Sequence, residues 1–373
     1  MSLLSTNYLL YFHVERGKIV KVVIAVILIF SVILFCAGAV WVASNLASRY
    51  AVEIVEEDLA QEGLVGTRWG ISGYTPPNYP FSNLEERKQY WEEINMYAQV
   101  YGIHTDWQDL DIISIAEEEY DGEISLVLGY QSPLEWGSER GDFLETVLRV
   151  LEETPQIAYL AIGNEVNALY EKYPDEFPQF VDDYKYLYVQ IKEEHPDLPI
   201  YTTFNYESLI GEGYLFGHTI SHVPQTHLLS EFGEMLDLVG LTVYPYFDHA
   251  NVSDIPNDYF EPLSEYEIPL AITETGWMAR TSSGERLSGI DELGLSGSEE
   301  EQVMYFEWLQ ALPGKENLVF INWVFLNDPY EWENGTDSDK FEAFDSIGLK
   351  YHDGSEKEIW LHWQQFFNGR SGE

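Results

Sequence analysis

Among the 64 Asp and Glu residues of this chain, two glutamates directly follow short apolar runs, away from any charged surface. One run ends Ala161-Ile-Gly-Asn-Glu165-Val-Asn167, the other Ala271-Ile-Thr-Glu274-Thr-Gly-Trp277. The remaining acids read as solvated groups. A carboxyl pair presented from apolar surroundings can break an acetal C–O bond. One member protonates the leaving oxygen while the other, ionised, stands on the opposite side of the acetal carbon. A separation of about 5–5.5 Å lets the carboxylate attack directly and retain configuration, whereas about 6.5–9.5 Å admits a water and inverts it. Glu165 is the candidate acid/base, its pKa raised by a poorly solvated site and by the charge on Glu274. Glu274 is the candidate nucleophile and must stay ionised. The alternative is a buried salt bridge of either glutamate to Arg68.

Elements that could position such a pair follow from the apolar pattern. Short β-rich runs occur at Val65–Ile71, Gly102–Trp107, Ile124–Leu128, Ile157–Ile162, Ile200–Phe204, Leu238–Val243, Pro269–Thr273 and Val319–Val324. Helical patterns fall between them, among them Leu84–Val100, Phe143–Glu153, Phe177–Glu194, Leu228–Leu236 and Glu299–Leu312. Continuous apolar runs such as Ile157–Ile162 imply strands buried on both faces, and alternation with helices implies parallel βαβ units. Eight units in about 300 residues predict an α/β fold, a (β/α)8 TIM barrel. A doubly wound sheet would carry a Gly-rich phosphate turn after its first strand, and Gly66-Thr-Arg-Trp-Gly70 is not one. Barrel sites lie at the carboxyl ends of the strands, where Glu165 and Glu274 fall, on strands four and seven across the mouth from each other.

The residues around the pair resemble a known group of enzymes. Gly163-Asn164-Glu165 and Glu274-Thr-Gly-Trp277 look like the signature pair of clan A glycoside hydrolases, retaining TIM-barrel enzymes. The wording is closest to glycoside hydrolase family 17, the endo-β-1,3-glucanase type, with features of family 53. The resemblance implies that Asn164 contacts the sugar 2-hydroxyl and that Tyr244 hydrogen-bonds the nucleophile. It also implies that Trp323 floors the reacting subsite and that Trp277 belongs to the substrate-binding set. Many clan members carry an Arg after strand two, where this chain has His104-Thr-Asp106-Trp107. Arg68 is then a substitute, or His104 and Asp106 contact the sugar. Met278-Ala279 stand where family 17 has Pro-Ser, so the glucan specificity does not carry over.

The function expected is a retaining β-glycoside hydrolase of endo-β-glycanase type acting on extracellular polysaccharide or oligosaccharide. The alternatives are a transglycosylase using the same residues and an inactive, carbohydrate-binding barrel. No cofactor and no metal are expected, although the acids of Asn327–Asp345 offer oxygen ligands that would suit Ca²⁺.

Charge and the N-terminal segment add context. A formal net charge of −45 excludes nucleic acid as a partner, because phosphate binding needs a basic footprint. With 45% hydrophobic and 15% aromatic residues the chain folds, and its acidic surface reads as adaptation to high salt, where repulsion is screened. The single cysteine, Cys36, lies in an apolar run, so there is no disulfide framework. That run predicts a transmembrane anchor over residues 22–48. Its apolar part, as a helix, rises about 33 Å against a hydrocarbon core of about 30 Å. Arg16, Lys18 and Lys21 place the tail 1–21 in the cytoplasm, leaving an acidic linker 49–63 and the catalytic domain 64–373 outside. The alternative is a secretory signal cleaved near Ala43–Ser48. The oligomeric state is not legible.

Overall fold

The structure, a computed structural model, describes residues 66–73, 84–129, 133–212, 214–215, 218–219, 223–281, 297–312, 317–329 and 344–370. All of them belong to one unit, Leu59–Glu373. The expected tail 1–21, anchor 22–48 and linker 49–63 lie outside the described residues. Among the described residues no helix is long and apolar enough to cross a membrane.

Nine parallel strand segments form one sheet. They are β1 (Arg68–Gly73), β2 (Val100–Asp106), β3 (Glu123–Gly129), β4 (Ile157–Ile162), β5 (Ile200–Tyr201), β6 (Thr203–Asn205), β9 (Val239–Val243), β10 (Leu270–Thr275) and β11 (Leu318–Val324). A small antiparallel pair, β7 (Tyr214–Leu215) and β8 (His218–Thr219), stands apart. The order around the large sheet is β5-β4-β3-β2-β1-β11-β10-β9-β6. Its two end segments, β5 and β6, are separated in the chain only by Thr202, so the sheet runs round a full circle. Counting β5 and β6 as one interrupted strand gives the eight-stranded barrel expected from the sequence.

Strand parity decides what each residue does. Val100, Val127, Tyr159, Ala161, Tyr201, Leu238, Ala271 and Phe320 come from strands all round the ring and form one buried cluster, the barrel interior. The second, larger cluster lies between strands and helices and includes Trp69, Ile71, Leu241, Ile272, Ile321 and Trp323. Side chains alternate along a strand, so positions two apart share a face. From Val100, Tyr201 and Phe320 the inward series therefore runs to His104, Asn205 and Asn322.

The helices form where the pattern demands it. Residues Phe177–Glu194 bury Phe177, Phe180, Val181, Tyr184, Leu187 and Ile191, one face at helical spacing. Glu299–Ala311 starts at Ser298, whose side chain accepts from the Glu301 N–H at 3.1 Å, and three acids in its first turn favour the dipole. The helix expected over Leu228–Leu236 stops at Glu231, because Gly233 turns left-handed at φ 64°. After β9 three short 3₁₀ turns replace a helix.

Candidate active site

Glu165 is delivered by a tight turn behind β4. Gly163 adopts φ 90°, and a Cβ there would lie 2.6 Å from Val166 Cγ1 and 2.9 Å from Phe180 Cζ. Glu165 itself is left-handed at φ 48°, a conformation that costs a non-glycine residue about 1–2 kcal/mol. Its N–H donates to Thr203 Oγ1 at 2.8 Å, and that hydroxyl donates to Asn164 Oδ1 at 2.8 Å. The carboxyl Oε1 accepts from Thr242 Oγ1 at 2.5 Å and from Asn205 Nδ2 at 3.5 Å. Burial of this carboxyl raises its pKa and the charge on Glu274 raises it further, outweighing the Thr242 and Asn205 hydrogen bonds and the charge of His104.

Glu274 reaches the interior through an irregularity in β10. Ile272 pairs with Leu241 while Glu274 pairs with Thr242, so β10 carries one residue more than β9. The same surplus appears against β11, where Ile272 pairs with Ile321 and Thr275 with Trp323. This bulge shifts the phase of alternation, so that Glu274, not Thr273, faces inward beside Thr242. Its Oε1 lies 2.7 Å from His104 Nδ1, and its Oε2 accepts from the Tyr244 hydroxyl at 2.7 Å. Glu274 is 6% exposed. Burial alone would push its pKa up, but the charge and hydrogen bond of His104 and the hydrogen bond of Tyr244 hold it below the ordinary carboxylate range.

The two carboxyl groups thus converge on one strand end. Thr242 and Tyr244, two positions apart and on the same face of the β9 terminus, hold Glu165 and Glu274 respectively. Their environments push the two pKa values in opposite directions, the arrangement that assigns an acid and an ionised partner.

The other sequence candidates divide. His104 and Tyr244 join the pair directly, and Asn164 stands one hydroxyl behind Glu165. Asp106 ends β2 and accepts from the Gln108 N–H at 3.1 Å. Trp277 and Trp323 are fully buried. The Trp323 indole donates to Ile347 O at 2.7 Å and packs against Tyr305 and Trp363, and Trp277 packs against Tyr246 and Tyr305. This burial corrects the expectation of sugar-facing indoles. Trp323 lies three residues past the inward Phe320 and so faces the helices.

Arg68 also departs from expectation. It opens β1 at the amino end of the barrel, opposite the mouth, and pairs there with Glu123 at 2.7 Å. It neither substitutes for the clan Arg nor bridges either glutamate. Thr203, Asn205 and Thr242 went unnoticed in the sequence, although each is a polar inward residue at the end of an apolar strand. Among the described residues no cluster of His, Cys, Asp and Glu could hold a metal ion.

Comparison with known proteins bears on the fold. No family model matches the chain, so neither family 17 nor family 53 is supported by a family match. No curated protein matches it either. Similar solved structures include Bacteroides uniformis β-glucuronidase 2 covalently bound to cyclophellitol-6-carboxylate aziridine, with TM-score 0.57 and 15% identity over 81% of this chain and 35% of that one. Lactobacillus rhamnosus β-glucuronidase gives TM-score 0.55 and 15% identity over 81% of this chain and 49% of that one. A GH2 β-galacturonidase from Eisenbergiella tayi, bound to galacturonate, gives TM-score 0.53 and 16% identity over 81% and 51%. The chain spans about half the length of these structures or less. At this identity the likeness concerns the parallel barrel.

Proposed function

We propose that the chain is a retaining β-glycoside hydrolase, with Glu165 as acid/base and Glu274 as nucleophile. The observation that carries this reading is the pair of oppositely tuned carboxyl groups held by Thr242 and Tyr244 at one strand end. The β-glycosidases sharing the fold support it as analogy.

In the first step Glu165 gives its proton to the glycosidic oxygen while Glu274 attacks the anomeric carbon. The C–O bond breaks, the alcohol leaves, and a glycosyl ester forms on Glu274. Esterification removes the negative charge that had raised the pKa of Glu165, so Glu165, now ionised, becomes the base. It takes a proton from water, the oxygen attacks the anomeric carbon, and Glu274 is released. The His104 and Tyr244 contacts stabilise Glu274 as a carboxylate and fix its orientation before attack.

The substrate in this reading is an extracellular β-linked polysaccharide or oligosaccharide, cut internally. Residues 22–48 anchor the barrel to the outer face of a membrane. Protease digestion of intact cells should then remove the barrel and leave the tail, and full protection would contradict this placement. The test of function is to incubate the full chain in high salt with β-glucans, galactans, mannans, xylans and aryl β-glycosides, uronides included. Glu274→Ala and Glu165→Ala run alongside. Release of product by wild type alone supports the reading; equal release by Glu274→Ala refutes the nucleophile.

A further inference from the structure

Behind the site lies a second buried carboxyl that this mechanism does not use. Glu207 is 2% exposed and sits in the single helical turn Tyr206–Leu209 that follows β6. Its Oε1 accepts from the Tyr244 backbone N–H at 2.7 Å and from the Tyr259 hydroxyl at 2.9 Å. Tyr244 stands where β9 leaves the sheet for a 3₁₀ turn, and its N–H takes Glu207 as acceptor there. The same residue's phenol donates to Glu274 Oε2. Glu207 is therefore one residue removed from the carboxylate it never touches.

The turn is itself fixed from both sides. Asn205 Oδ1 caps it by accepting from Ser208 N–H at 3.0 Å, and Asn205 and Asn167 exchange two hydrogen bonds of 2.9 Å. The Asn205 amide meanwhile reaches Glu165. One three-residue segment, Asn205 to Glu207, thus supports Glu165 through its first member and Glu274, by way of Tyr244, through its last.

We propose that Glu207 is a positioning residue: by clamping the Tyr244 backbone it sets the phenol that orients Glu274 and keeps it ionised. The claim rests on the glycosidase reading only in calling Glu274 the nucleophile. Tyr244, Tyr246, Tyr259, Tyr305 and Asp248 interact with Glu207; His104, Tyr244, Tyr246 and Glu165 interact with Glu274. Burial, with the charge on Asp248 adding to it, pushes the Glu207 pKa up to about 8. Near neutral pH Glu207 is accordingly mostly protonated and adds little negative charge beside Glu274. A glutamine, neutral and of the same shape, should then replace it, whereas an alanine leaves two buried donors without their acceptor.

The test is a ¹³C-carboxyl NMR titration of Glu274 in the full chain, its signal assigned by loss in Glu274→Gln. Glu207→Ala should raise the Glu274 midpoint by about one pH unit, and Glu207→Gln should leave it unchanged. On any substrate that wild type cleaves, Glu207→Ala should lose about tenfold in kcat with KM little altered, and Glu207→Gln should restore it. Should Glu207→Ala fail to fold, Tyr259→Phe removes the second anchor of Glu207 and should move the midpoint the same way. A midpoint identical in wild type and every folded variant overturns the proposal. A shifted midpoint in a chain that cleaves nothing upholds the clamp while rejecting the glycosidase reading.

Discussion

Replacing Tyr244 with phenylalanine removes one atom and, on this account, the support of one carboxylate. The phenol donates to Glu274 Oε2 at 2.7 Å inside a site that leaves Glu274 only 6% exposed, so water cannot freely take its place. A hydrogen bond to a charged group contributes about 1.5–3 kcal/mol. At 1.36 kcal/mol per pH unit, its loss should raise the pKa of Glu274 by about 1–2 units. Glu274 works ionised, so the acid limb of kcat/KM against pH marks the point below which it is protonated. That limb should move to higher pH by the same amount. The alkaline limb, set by Glu165, should move much less, so the bell narrows and its peak falls. Stability gives a second reading of the same change. A carboxyl whose folded pKa is depressed contributes stability above its unfolded pKa and loses it as pH falls through the folded value. Tyr244→Phe should therefore melt below wild type near neutral pH, with the difference closing in acid. The assay is initial rates across the whole bell on the best aryl glycoside of the panel. An acid limb coincident with that of wild type would refute the reasoning.

Three further outcomes follow from the same structure. Thr242→Val removes the donor 2.5 Å from Glu165 Oε1, which favours the ionised form, so the alkaline limb should move to higher pH while the acid limb stays; pH-rate profiles check both. Arg68→Met should leave kcat and KM unchanged and shift stability by no more than about 1 kcal/mol, because its exposed pair with Glu123 lies at the far end of the barrel; steady-state kinetics and a melting curve decide it. With a formal net charge of −45, the melting temperature should rise with added KCl as repulsion is screened, and a temperature independent of salt would contradict the high-salt reading.

The barrel was legible because strands buried on both faces leave continuous apolar runs, as at Ile157–Ile162, whose bounds agree with the structure. The break at Thr202 left no such trace, since Ile200–Tyr201 before it and Phe204 after it read as one short β-rich run. Short helices such as Val166–Lys172 escaped notice because seven residues carry too little periodicity. Position behind a strand was enough to single out Glu165 and Glu274. It was not enough for the indoles: Trp323 also follows an apolar run, but its parity turns it toward the helix Glu358–Arg370 and Trp363. Arg68 departs from the expected role because β1 begins at Arg68 itself, placing its side chain on the opposite rim. The inward placement of Glu274 depends on the bulge in β10, and an extra residue is visible only once both neighbouring strands are in register.

The central claim is that Glu274 becomes covalently glycosylated. The direct test treats the full chain with 2-deoxy-2-fluoro-β-glycosyl fluorides of gluco, galacto, manno and xylo configuration, then measures intact mass and maps peptides. The account predicts a gain of one fluoroglycosyl group on the peptide carrying Glu274, absent from Glu274→Gln. An adduct on any other residue, or none from a sugar whose aryl glycoside the chain hydrolyses, would contradict it.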